Sequence, residues 1–188
     1  MSPAAEVALA SGDDATVAHG AGPVRGRGEL ALRAFVYLAL VVGLSNLLLV
    51  ESVDRTVLAR VRHGIAYLAA AVLSVFRGDV RAADEHVFVG ASAVQIVNGC
   101  TGFDVGIFLA SAMLVFPAPW PVRLRGAAAG FAIALFVNLL RVLSLAVLNE
   151  GAASAFHVVH VYVWPALISL VCLATLLVWI RGAQTRDG

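Results

Sequence analysis

A few side chains in this sequence are able to do chemistry, namely Cys100, Asp104, Asn138, Arg141, His157 and His160. A thiol becomes a nucleophile when an imidazole takes its proton, and a fixed cation can hold the thiolate or the oxyanion formed at an attacked carbonyl. A cysteine, an arginine and a histidine that meet would therefore carry out acyl transfer. Cys172, the other cysteine, lies deep in an apolar run, whereas Cys100 stands at the edge of one in polar company. A disulfide between them would need both at similar depth, which the spans described below do not favour. The sequence has no CxxC and no Cys/His ligand spacing, so no metal site is expected, and thiol chemistry calls for no cofactor. It has no GxSxG and no HExxH, which leaves serine hydrolase and zinc peptidase chemistry without a motif.

The elements that must position these groups follow from composition. Of 188 residues, 61% are hydrophobic and 13% charged, too apolar for a soluble domain and far too apolar for a disordered chain. The net charge is +1, every basic residue is arginine, and no basic stripe with interleaved aromatics occurs, so no nucleic-acid partner is expected. The class that remains is an all-α integral membrane protein whose partner is the lipid bilayer, provided its apolar runs cross about 30 Å of hydrocarbon.

The runs supply about four transmembrane helices. Residues 1–28 are rich in Ala, Gly, Asp and Ser and read as a disordered cytoplasmic tail. Ala34 to Val50 is the first span; Arg25, Arg27 and Arg33 before it place the N-terminus in the cytoplasm. No small-x-small cleavage site follows, so this helix is expected to be retained. Val57 to Phe76 carries Arg60, Arg62 and His63 in its first half, which suits an amphipathic helix in the membrane interface, with a true crossing as the alternative. Arg77 to Val97 breaks the apolar pattern, and HVFVGASAVQIV reads as a small extracytoplasmic β-hairpin around Gly90-Ala91-Ser92.

Cys100 to Phe116 is the next span, ended by Pro117, Pro119 and Pro121, and Arg123 and Arg125 mark the following loop as cytoplasmic. Gly126 to Leu148 follows and opens with Gly126-Ala-Ala-Ala-Gly130, a spacing that permits close helix packing. Val158 to Ile180 is the last span, closed by Arg181 and Arg186. Residues 29–182 thus form one membrane-embedded domain, and 183–188 a cytoplasmic C-terminal tail.

Counting helical rise from the cytoplasmic end of each span gives a height for each polar group. Cys100 comes to about 24 Å, Arg141 to about 22 Å and His160 to about 30 Å, all near the outer face. Arg141 carries the strongest signal, because an arginine in a lipid-compatible helix costs about 2.5–3.5 kcal/mol unless it is paired or hydrated. Asn138, three residues earlier on the same face, extends the polar patch inward. Asp104, four residues after Cys100, is expected on the thiol's face, where it could pair with Arg141. His157 and His160 lie one turn apart, and spacing does not choose between them as the base. A non-enzymatic reading stays open: a small membrane carrier or assembly subunit binding a polar ligand through Asp104, Asn138 and Arg141 would use the same buried charges.

Three segments in order, VNGCTGFDVGIFLASAMLVFPAPW, NLLRVLSL and HVYVWP, resemble the exosortase and archaeosortase family, most closely its short type, exosortase H. The resemblance covers about Val94 to Trp179. It implies a membrane-embedded cysteine protease or transpeptidase in the cell (inner) membrane, with its active site at the extracytoplasmic face. Its partners would be membrane protein precursors carrying a C-terminal sorting signal, made of a short motif, one transmembrane helix and a basic tail. Carried over by position, the resemblance assigns the nucleophile to Cys100, the arginine to Arg141 and the histidine to His160 rather than His157. It matches the short type in having an acid at Asp104. Longer members have helices that this chain lacks, so a glycan-related step is not implied.

Overall fold

Proline and glycine set the boundaries of the helix that follows the cysteine. In the computed structural model, which describes residues 24–184, a 3-10 turn spans Asn98–Cys100 and the helix proper covers only Phe103–Val115 (α3). Gly102, at φ +80°, separates the two with a left-handed conformation that glycine adopts at no steric cost. At the other end Phe116 is extended (φ −61°, ψ 142°), as a residue before proline must be. The expected span from Cys100 to Phe116 is therefore shorter than the sequence suggests: 13 helical residues rise about 20 Å.

Its partner is correspondingly longer. Helix α4 runs over Trp120–Gly151, 32 residues, starting well before the expected Gly126. Pro121 falls in its first turn, where a missing N–H breaks no helical bond, so the proline-rich segment opens this helix instead of forming a loop up to Arg125. Helix α1 covers Val24–Leu48 and so begins inside the stretch read as a tail; residues 1–23 of that tail and 185–188 of the C-terminal one lie outside the described residues. Helix α5 covers Ser154–Gln184 and helix α2 covers Glu51–Ser74. Each of these two contains one π-helical turn, Asp54–Leu58 in α2 and Val159–Val163 in α5.

Contacts fix the directions. Arg33 near the start of α1 donates to the Val115 carbonyl at the end of α3 (3.0 Å), and Phe116 meets Trp179 near the end of α5 (5.3 Å between rings). Helices α1, α3, α4 and α5 therefore alternate in direction, with one end marked by Arg33, Arg123 and Trp179 and the other by the cysteine turn. The Gly126 and Gly130 spacing serves close packing as expected. A Cβ on Gly126 would strike the Trp179 indole, and one on Gly130 would lie 3.0–3.2 Å from Met113 and Leu109.

At the cysteine end sits a three-stranded antiparallel meander of β1 Val80–Ala83, β2 His86–Val89 and β3 Ser92–Gln95. The expected hairpin is the β2–β3 pair, closed by Gly90 at φ +57° and Ala91. Strand β1, with Asp79 and the turn at Asp84-Glu85, adds to it. Val87 and Val89 face inward with Ile96, packing on Ala66, Ala69 and Leu73 of α2 and on Val142 and Ala146 of α4.

Helix α2 is long and apolar enough to cross a membrane, as are residues 28–48 of α1, α4 and α5; α3 is too short to be counted with them. Its packing takes another course. Asp54 at its start bonds Asn98 (2.9 Å), and Arg77 just beyond its end bonds Glu150 at the end of α4 (2.6 Å). It therefore runs on past the cysteine turn toward the far end of α4 rather than back along α1.

Candidate functional site

The cysteine is presented by a backbone turn held from two helices. Val97 and Asn98 accept from the amides of Cys100 (2.8 Å) and Thr101 (3.0 Å), which winds the turn, and Cys100 itself is buried. From α4, the Asn138 amide donates to the Cys100 carbonyl and Arg141 Nη1 donates to the Gly99 carbonyl (3.3 Å). Two polar residues one helical turn apart, on one helical face, thus hold two consecutive carbonyls. Asn138 is 3% exposed, so this bond satisfies groups that lipid-facing burial would leave stranded. Gly102 completes the fit, since a Cβ there would lie 2.8 Å from Asn138 Cβ.

Helix α5 carries the imidazole and is bonded to α4. The Trp164 indole N–H donates to Ser144 Oγ on α4 (2.9 Å), fixing the height of α5 one turn below His160. His160 stacks on Phe156 (centroids 5.6 Å apart, planes 7° from parallel) and lies within electrostatic reach of Arg141. It sits in the π turn, a local widening that often marks a functional site. Its neighbour His157 is exposed, whereas His160 is half-buried. Among the described residues, the buried side-chain nitrogens with no hydrogen-bond partner are Arg141 Nε and His160 Nδ1. Buried donors and acceptors are ordinarily paired, and two unpaired nitrogens on residues within electrostatic reach of each other suit a site that a ligand completes.

Asp104 does not join them. The left-handed break at Gly102 means that Cys100 and Asp104 do not share one helix, so the four-residue spacing fails to align them. Asp104 is exposed at the start of α3, and none of the ion pairs among the described residues links it to Arg141. Nor do any of the described hydrogen bonds join the Cys100 thiol to Arg141 or His160. Cys172 is free and half-buried in α5, and Cys100 is free as well. No group of His, Cys, Asp and Glu able to hold a metal occurs among the described residues.

One cluster went unread in the sequence. Arg62 of α2, read there as part of the polar face of an interfacial helix, is 9% exposed and donates to Glu85 (2.7 Å), to Asp54 (2.7 Å) and to the Asn98 side chain. The only signal for it was the presence of acids at positions 54 and 85, far apart in sequence. Beyond it, Arg77 bridges Asp79 and Glu150, and the guanidinium beside Asp79 holds that carboxyl below its usual value.

Among the described residues, four helices long and apolar enough to cross a bilayer define a multi-pass membrane protein. The sequence model of the family described as Transmembrane exosortase (Exosortase_EpsH) matches residues 24–184, and the chain belongs to that family. It is thereby placed among membrane proteases and transpeptidases. No curated protein and no solved structure matches the chain.

Proposed function

We propose that this protein is an exosortase H-like cysteine transpeptidase or protease that cleaves C-terminal sorting signals at the extracytoplasmic face of the inner membrane. The observation that carries the reading is the pair of buried, unpartnered nitrogens, Arg141 Nε and His160 Nδ1, on an arginine that bonds the Cys100 turn and a histidine within its electrostatic reach. An unpaired imidazole nitrogen is available to take a proton, and an unpaired guanidinium N–H is available to a developing oxyanion.

In this mechanism His160 takes the thiol proton of Cys100 and the thiolate attacks the scissile carbonyl. The new C–S bond forms a tetrahedral intermediate whose oxyanion is held by Arg141. The C–N bond then breaks, the imidazolium gives its proton to the leaving amine, and a thioester remains on Cys100. Water or an amine attacks the thioester, with His160 again accepting the proton, and the thiol is restored. The substrate's transmembrane helix lies among the apolar helices and presents its motif at the cysteine end. The alternation of α1, α3, α4 and α5, with arginines at the opposite end, supports an outward-facing site. Helix α2 and the sheet lie on that same outer side, consistent with an interfacial role for α2.

A carrier reading gains less. It would use Asp104, Asn138 and Arg141 together, whereas Asn138 and Arg141 already engage backbone carbonyls and Asp104 stands apart. The test is to express the chain with a sorting-signal precursor and follow the precursor's size. Cys100→Ala, Arg141→Ala and His160→Ala should each abolish processing while inserting normally, and processing by Cys100→Ala would refute the reading.

A further inference from the structure

The cysteine turn is gripped from a second side, by charged groups that the mechanism above does not use. Asn98 opens the turn two residues before the thiol. Its side-chain oxygen accepts from Arg62 and its side-chain nitrogen donates to Asp54 (2.9 Å), so both ends of the amide are fixed. Its backbone carbonyl accepts from Thr101 Oγ (2.8 Å). Arg62 in turn is braced by Asp54 and by Glu85, and the Glu85 backbone carbonyl accepts from Ile96 N (2.7 Å) at the far end of the β2–β3 hairpin. Three consecutive residues are thus held in sequence: the Asn98 side chain from α2, and the Gly99 and Cys100 carbonyls from α4.

A buried guanidinium with two carboxylates is a costly way to stabilise a fold, because apolar residues of equal volume often serve as well or better. What it supplies is fixed direction, since the planar fork of arginine holds several acceptors at set angles. Bonds from α4 alone would leave the turn free to pivot about the line joining the Gly99 and Cys100 carbonyls. A third point on α2 removes that rotation. We propose that Arg62, acting through Asn98 and braced by Asp54 and Glu85, is a positioning residue that orients the Cys100 thiol for attack. The inference rests on the reading of Cys100 as the nucleophile.

The test uses the full chain in lipid nanodiscs, in a Cys172→Ser background so that Cys100 is the sole thiol. Processing of a sorting-signal precursor is measured as kcat and KM, with kcat expressed per folded enzyme, quantified from the monodisperse nanodisc peak on size exclusion, so that loss of folded enzyme does not count as loss of rate. Asn98→Ala removes the contact while leaving the Arg62 ion pairs intact. Arg62→Lys keeps the charge but not the fork. Because misplacing a reacting group by an ångström can cost up to about a hundredfold, both variants are expected to lose about tenfold to a hundredfold in kcat with KM within twofold of the parent. Should Arg62→Lys fail to fold, Asn98→Ala decides alone. A kcat per folded enzyme within twofold of the parent in Asn98→Ala, with Cys100→Ala inactive, overturns the positioning role and leaves the nucleophile standing. Processing by Cys100→Ala overturns the nucleophile itself.

Discussion

Replacing Gly102 by alanine probes the junction on which the whole site depends. The residue sits at φ +80°, and its Cα faces α4 so closely that a Cβ would lie 2.8 Å from Asn138 Cβ and 3.3 Å from the Ala134 carbonyl oxygen. Forcing an L-residue into the left-handed region costs about 1–2 kcal/mol, and an overpacked methyl against backbone adds about 1–3 kcal/mol, for a total of about 2–5 kcal/mol. The strain falls on Asn138, so the bond from its amide to the Cys100 carbonyl should be lost first. Unfolding by sodium dodecyl sulfate titration in mixed micelles would read the stability, with precursor processing followed in parallel. Gly64→Ala on α2 is the control: its Cβ meets nothing within 4 Å, and helix propensity predicts a gain of about 0.5–1 kcal/mol. If Gly102→Ala stays within about 0.5 kcal/mol of the parent, the close approach of the turn to α4 is wrong, and the derivation of the site falls with it.

Three further outcomes follow from the same geometry. His157→Ala should process precursor within about threefold of the parent, while His160→Ala should lose about a hundredfold to ten-thousandfold, the usual worth of a general base; the reverse order would move the base to His157. Trp164→Phe should remove the bond to Ser144 and lower stability by about 1 kcal/mol in the same detergent titration, loosening α5 from α4. The Arg77–Asp79 pair should give an acid-sensitive contribution: with the Asp79 carboxyl held below its unfolded value of about 3.9, the contribution is present above that pH and fades as pH falls through the lower, folded value. Unfolding midpoints measured between pH 6 and pH 3 should therefore drop more steeply for the parent than for Asp79→Asn, and parallel curves would refute it.

The sequence made the bundle legible because apolar runs and arginine-flanked loops answer directly to the bilayer. The alternation of α3, α4 and α5 follows the arginine-flanked ends, whereas the height counted for Cys100 rests on a continuous helix that the turn at Asn98–Cys100 and Gly102 interrupts. The Asn138 and Arg141 spacing likewise became two bonds to neighbouring carbonyls. What could not be counted was local backbone conformation. Gly102 interrupts the helix just where the four-residue rule was applied to Asp104, so the expected pairing with Arg141 dissolves. Pro121 reads as a helix breaker in sequence, yet a first-turn proline is compatible with a helix, and α4 starts six residues before the expected Gly126. The Arg62 cluster joins residues from α2, the β1–β2 turn and the cysteine turn. Such long-range pairing leaves no periodic trace in a single sequence, so a buried charge reads as part of an interfacial helix's polar face.

The central claim is that Cys100 carries the acyl group between cleavage and release. Intact-mass measurement of the full chain, acid-quenched within seconds of mixing with a sorting-signal precursor, tests it most directly. The account predicts a thioester adduct of the precursor's N-terminal portion on Cys100, absent from Cys100→Ala and sensitive to hydroxylamine. Cleavage of the precursor by Cys100→Ala, or an adduct mapped to any other residue, would contradict it.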